Sequence, residues 1–171
     1  VWAHPEYFQM DENLGPTAVA GVPPDGFTPD GQLWGNPLYD WERMRGEGFA
    51  WWLERLRAAF AMYDVVRIDH FRGFAAYYAV PYGDKTAKNG KWVQAPGREL
   101  FAKVKEIFPS APILAEDLGY LDDSVRELLA FTGYPGMKIL QFAFDCKNSE
   151  YMPENYPNNC VAYTGTHDNM T

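Results

Sequence analysis

The sequence predicts an α/β fold built around a largely parallel sheet. Three observations carry that reading. From residue 47 onward, stretches with helical periodicity alternate with short β-branched stretches. The β-branched stretches are nearly continuously apolar, as strands buried on both faces must be. Acidic residues stand at or just beyond their C-terminal ends, at Asp69, Glu116 and Asp168.

Taken in order, residues 1–41 are rich in Pro, Gly and aromatic residues, with turn signals at Val22-Pro23-Pro24-Asp25-Gly26 and Gly35-Asn36-Pro37. No period is sustained there, and a long loop is expected. Phe49, Trp52, Leu53, Leu56, Phe60 and Tyr63 then recur at three- and four-residue steps, one face of a helix. Arg55 and Arg57 fall off that face. Val65-Val66-Arg67-Ile68 reads as a buried strand. Asn89-Gly90, between flanks that could pair, signals a hairpin. Leu100, Phe101, Val104 and Ile107 predict a second helix closed by Pro109, and Ile113-Leu114-Ala115 a second strand. Ser124 with Glu127 resembles a capping box that opens a third helix. Met137 to Phe144 and Cys160 to Thr164 predict the last two strands.

Composition narrows the function. The 171 residues are 47% hydrophobic and 22% charged, which excludes wholesale disorder. A net charge of −8 argues against nucleic acid and anionic membranes as partners. No apolar stretch is long enough to span a bilayer, and no signal-peptide layout is present, so a cytoplasmic location is expected. Cys146 and Cys160 are expected as free thiols, and His4, His70 and His167 are scattered without metal-ligand spacing, so neither metal nor cofactor is expected. No Gly-x-Gly-x-x-Gly or phosphate loop follows any strand. Aromatic residues make up 16% of the chain; most belong to a core, and some suit a groove for sugar rings, whose C–H faces stack on them.

Strands running parallel bring their C-terminal ends to one side, so Asp69, Glu116 and Asp168 converge there. Singly, each could be an ordinary turn or cap residue. Together, with Arg67, His70 and His167 beside them, they suggest glycoside chemistry. One carboxylate attacks the anomeric carbon while a carboxylic acid protonates the departing oxygen, the two lying roughly 5–5.5 Å apart in retaining enzymes. Alternation along the strand puts Arg67 and Asp69 on one face, where the guanidinium would keep Asp69 ionised.

The motifs Arg67-Ile68-Asp69-His70-Phe71-Arg72-Gly73, Ala115-Glu116-Asp117-Leu118-Gly119 and Thr166-His167-Asp168-Asn169 resemble those of the 4-α-glucanotransferases (amylomaltases, or disproportionating enzymes) of glycoside hydrolase family 77. Gly31-Gln32-Leu33-Trp34-Gly35-Asn36-Pro37 and Pro135-Gly136-Met137-Lys138-Ile139-Leu140-Gln141-Phe142 extend the resemblance over the whole chain. It implies a partial (β/α)8 TIM barrel, roughly strands 4–7. Residues 1–171 would be the central part of the catalytic domain, with 1–41 an active-site loop region and 42–171 the β/α units.

The resemblance also implies transfer of α-1,4-glucan segments between maltooligosaccharides or starch- and glycogen-derived glucans, with glucose as an acceptor and no cofactor. Asp69 would be the nucleophile, Glu116 the acid and then base, and Asp168 a ligand of donor-site hydroxyls. Arg67 would orient Asp69, and His70 and His167 would bind hydroxyls. Trp34 and Asn36 would overhang the cleft, and Phe142 would lie near the acceptor. Gly26 stands where relatives often carry Tyr, so a glucan contact is expected to be missing.

A hydrolase of the same clan and a non-catalytic glucan-binding module are the competing readings. The Val1 start and the polar Thr166-His167-Asp168-Asn169 end are expected to mark a piece of a longer enzyme, inactive by itself.

Overall fold

In the computed structural model, residues 4–26, 28–119, 121–144 and 149–167 are described. Two kinds of sheet are present among them. Strands β1 (Ala18–Val22), β2 (Gln32–Pro37), β4 (Ala76–Pro81) and β5 (Lys91–Gln94) form an antiparallel sheet in the order β2-β1-β4-β5. Strands β3 (Val66–Ile68) and β6 (Ile113–Ala115) pair in parallel, as do β7 (Gly136–Ile139) and β8 (Cys160–Tyr163). Helices α1 (Trp41–Gly46), α2 (Ala50–Met62), α3 (Gly97–Ile107) and α4 (Asp123–Thr132) complete the regular elements.

The two parallel pairs belong to one array. The Ala115 N–H donates to the Pro135 carbonyl at 2.9 Å. Two residues further along both chains, the Met137 N–H donates to the Asp117 carboxylate at 2.6 Å. Partners that advance together in this way define parallel neighbours. Gly136 suits this join, because a Cβ there would push against the Asp117 carboxylate that accepts from the Met137 N–H. The expected β/α alternation is therefore present as β3-α3-β6-α4-β7, a mixed α/β fold. A closed (β/α)8 barrel is not seen; the parallel strands described stop at four.

The structure corrects several local expectations. Residues 1–41 are not simply a long loop, since β1 and β2 lie within them. Their pairing escapes the periodicity test because β2 is exposed along most of its length and bulges between Leu33 and Pro37, where it faces Gly21 and Val19 of β1. Gly21 lets the two backbones approach: a Cβ there would strike the Gln32 carbonyl. Asn89-Gly90 does not make a tight hairpin. Ala87–Asn89 is a 3-10 turn, and β5 pairs with β4 across a longer connection in which Ala79 lies opposite Lys91. The α4 N-cap is Asp122, whose carboxylate accepts from the Val125 N–H at 3.2 Å. A carboxylate outcompetes a hydroxyl for the positive end of the helix, and Ser124 instead donates to Asp122 at 2.5 Å. The third parallel strand ends at Ile139 and continues as a 3-10 turn, Leu140–Phe144.

The main core joins α2, α3, α4 and the 3-10 turn Phe71–Phe74 that follows β3. Phe71, Leu100, Phe101, Val104 and Val125 are fully buried. Phe71 and Phe74 each pack their rings 5.2 Å from Phe101. A smaller cluster of Val19, Tyr78, Val80 and Ala87 underlies the antiparallel sheet. Among the described residues no helix is long and apolar enough to cross a membrane. Cys160 is a free thiol, and Cys146 lies outside the described residues.

Candidate active site

Register builds the site. Ile68 lies opposite Ala115 in the β3–β6 pair, so the next residues, Asp69 and Glu116, emerge side by side at the C-terminal edge. The chains remain tied beyond the strands: the Glu116 N–H donates to the Ile68 carbonyl and the Phe71 N–H to the Glu116 carbonyl, each at 2.9 Å.

The two carboxylates have opposite surroundings. Asp69 is open to solvent and paired with Arg67, whose Nη2 donates to Oδ1. Same-face placement at positions 67 and 69 is thus realised as an ion pair. Glu116 is half-buried. Its Oε2 accepts from the His70 N–H and its Oε1 from the Leu118 N–H, both at 2.7 Å. Burial raises its pKa above the ordinary carboxylate value. The two N–H bonds and Arg67 oppose that rise, and the charge of Asp69 adds to it. One exposed carboxylate beside a cation and one half-buried carboxyl biased toward its protonated form are the division of labour that nucleophile and acid require.

His70 takes a left-handed backbone conformation, with φ of 46°. Its ring meets the Trp34 indole edge-on at 4.6 Å. Burial, then the positive charge of Arg72, lowers its pKa to about 4 against the pull of Asp69. It is therefore neutral near pH 7, able both to donate and to accept at sugar hydroxyls. Trp34 is 40% exposed on β2 and donates to Gln32 at 3.1 Å. Trp34, Asn36, Arg67, Asp69 and His70 line one cavity of about 680 Å³, walled further by aromatic residues that include Tyr39 and Trp52. Its size suits a sugar ligand.

The remaining expected residues fall elsewhere on the same edge. Phe142 lies in the turn after β7, its ring 5.3 Å from Tyr151. His167 is exposed beyond β8. The Gln141 N–H donates to the Thr164 carbonyl at 3.1 Å, which keeps the β7 and β8 connections together. Neither residue lines the cavity described above. Asp168 lies outside the described residues. Among the described residues, no group of three or more His, Cys, Asp or Glu is placed to hold a metal ion.

Two side chains near the site carry no sequence signal. Arg55 lies off the apolar face of α2, yet it lines the cavity, its guanidinium 5.3 Å from the rings of both Trp51 and Trp52. Tyr151 carries no motif. It packs on Phe142 and under the Lys138 ammonium, 4.9 Å from the ring, while Lys138 pairs with Glu150 at 2.6 Å. Burial, reinforced by Glu150, Asp117 and Glu116, pushes the Tyr151 phenol up to about 12.

Comparison with known proteins identifies the family. The chain is 53% identical over 173 residues to a 4-alpha-glucanotransferase of Clostridium butyricum, covering 100% of this chain and 36% of that protein. It is 55% identical over 172 residues to a 4-alpha-glucanotransferase of Streptococcus pneumoniae serotype 4, covering 100% of this chain and 34% of that one. The chain therefore spans about a third of the length of these curated relatives. An amylomaltase from Streptococcus agalactiae, solved in complex with acarbose, superposes with a TM-score of 0.94 at 50% identity, over 98% of this chain and 34% of that one. A family model described as 4-alpha-glucanotransferase matches residues 1–171 in full, and the chain belongs to that family, glycoside hydrolase family 77.

Proposed function

We propose that this chain carries the reacting carboxylates of a retaining 4-α-glucanotransferase. The supporting observation is the pairing of Asp69 and Glu116 at equivalent positions on hydrogen-bonded parallel strands, one exposed against Arg67 and the other half-buried with a raised pKa. An Asp69 oxygen attacks the anomeric carbon of a bound glucan. The glycosidic C–O bond breaks, and Glu116 gives its proton to the departing 4-oxygen. The 4-hydroxyl of an acceptor then gives its proton to the Glu116 carboxylate and bonds to the same carbon, releasing Asp69. Two inversions leave the α configuration unchanged. Arg67 orients Asp69, and neutral His70 binds hydroxyls of the donor sugar.

Trp34 and Asn36 cover the cleft and keep water from competing with a sugar acceptor. That cover favours transfer over hydrolysis. Phe142, seated against Tyr151, belongs to the acceptor side, His167 to the donor side, and Asp168 to the donor hydroxyls. Maltooligosaccharides and glucans of the starch and glycogen type are the substrates in this reading, with glucose an acceptor and the cytoplasm the compartment. The four parallel strands would be four consecutive strands of the eight in a barrel. An amylomaltase with acarbose, an oligosaccharide analogue, as a close structural match supports the glucan reading.

The test is redistribution of maltotriose by the full-length protein. Transfer yields a ladder of longer and shorter products with little net gain of reducing ends. The Asp69→Asn variant should lose turnover and keep maltotriose binding. Net hydrolysis without a ladder, or turnover in Asp69→Asn near the wild-type rate, would refute the proposal.

A further inference from the structure

The Glu116 carboxyl is held in part by a main-chain donor that sits in a strained backbone conformation. His70 sits at φ 46°, a region that a residue with a side chain occupies only when its surroundings impose it. Its N–H is the donor to Glu116 Oε2. The turn that follows, Phe71–Phe74, has its own bonds, Gly73 N–H to the His70 carbonyl and Ala75 N–H to the Arg72 carbonyl, each at 2.9 Å, and two of its side chains anchor it to the surrounding elements.

Phe71 is buried in the aromatic core. Arg72 is a more specific anchor. Its side chain is 9% exposed, its Nη2 donates to Asp122 at 2.7 Å, and its guanidinium lies 4.1 Å from the centroid of the Trp92 ring. Nε and Nη1 are buried with no hydrogen-bonding partner among the described residues, and the indole face supplies electron density to such donors. Asp122 is in turn fixed as the α4 N-cap and by Ser124. One side chain thus joins the β3 turn to α4 and, through Trp92, to the antiparallel sheet.

We propose that Arg72 is a positioning residue: by bonding Asp122 and stacking on Trp92 it locks the turn that holds His70 left-handed and aims the His70 N–H at Glu116. This role rests on Glu116 being the acid. Arg72 itself touches neither Asp69 nor Glu116 through any described hydrogen bond, so it acts on the chemistry through the turn.

The experiment compares two donors in the full-length protein: maltotriose, whose leaving oxygen needs a proton, and α-maltosyl fluoride, whose fluoride does not. Variants are Arg72→Leu, Arg72→Lys and Asp122→Asn, with Glu116→Gln as reference. Asparagine still caps α4 but gives up the charge that holds Arg72. General acids contribute about 100- to 10,000-fold, and a misdirected acid forfeits part of that. Arg72→Leu and Asp122→Asn should therefore lose about 10- to 100-fold in kcat on maltotriose, with KM little changed. On the fluoride, formation of the glycosyl-enzyme should fall less than about 3-fold. Arg72→Lys, which keeps the charge facing Asp122, should recover most of the loss.

An equal loss on both donors, or no loss, in Asp122→Asn overturns the role even if Arg72→Leu fails to fold, and so does a folded Arg72→Lys that loses as much on the fluoride as on maltotriose. If Glu116→Gln itself loses equally on both donors, the acid assignment falls and takes this role with it. If Glu116→Gln keeps its donor signature while the Arg72 and Asp122 variants lack one, only this role is refuted.

Discussion

Replacing His70 with Asn removes an imidazole whose charging the fold opposes, and the size of the effect follows from its pKa. Burial lowers that pKa from 6.5 to about 4. At about 1.36 kcal/mol per pH unit, the folded state prefers the neutral ring by about 3 kcal/mol. Between pH 6.5 and 4 the unfolded chain takes up a proton that the folded one does not. Stability from this group is therefore present above pH 6.5 and is lost progressively as the pH falls to about 4. Asn has no such titration, and among residues with side chains it is well suited to the left-handed conformation at this position. Its backbone N–H remains available to Glu116. Denaturant unfolding of the full-length protein at several values from pH 4 to 7.5 should show wild type losing about 3 kcal/mol more than His70→Asn across that window. The contribution of Glu116, which runs in the opposite direction, is common to both proteins and cancels in the difference. Parallel stability curves, or an imidazole that titrates near 6.5 by NMR, would refute the burial argument.

Three further outcomes are expected. The Glu116 carboxyl, raised mainly by burial, should set a basic limb of kcat/KM above the ordinary carboxylate range, and Glu116→Gln should remove that limb while costing about 100- to 10,000-fold on unactivated donors. Trp34→Ala should raise the ratio of hydrolysis to transfer, on the order of several-fold, because it uncovers the cleft; product ladders scored against glucose release give the ratio. Leu100→Ala, at a fully buried position in α3, should cost about 2–5 kcal/mol by denaturant unfolding without changing the donor preference of the residual activity.

The parallel array was legible because its signal is local. Val66-Arg67-Ile68 and Ile113-Leu114-Ala115 are short apolar runs next to helices with clear periodicity, and an acid after each run locates the edge where chemistry occurs. Convergence of Asp69 and Glu116 follows from parallel direction alone, and the Arg67–Asp69 ion pair from alternation. The antiparallel sheet is less legible, because its central pairing joins residues far apart in sequence, such as Ala20 to Ala79, and its outer strands β2 and β5 are mostly exposed and carry no alternating apolar face. The α4 cap was misplaced by two residues because Ser and Asp at positions 124 and 122 both carry capping chemistry, and only the geometry decides between them. Tyr151 and Arg55 stayed hidden for a related reason. Their partners, Phe142 and Lys138 for one and Trp51 with Trp52 for the other, define them only after folding.

The two donors that hold Glu116 are peptide groups, those of His70 and Leu118, and a peptide N–H is common to nineteen of the twenty residue types. The hold on the acid is consequently blind to which side chains stand at these positions. Laboratory evolution can randomise residues 70 and 118 to reshape sugar contacts while this pair of bonds persists through every replacement the backbone accommodates. Proline is the exception, since it brings no N–H. A library at these two sites should show a gap at proline, joined at position 70 by the β-branched residues, which the left-handed backbone disfavours.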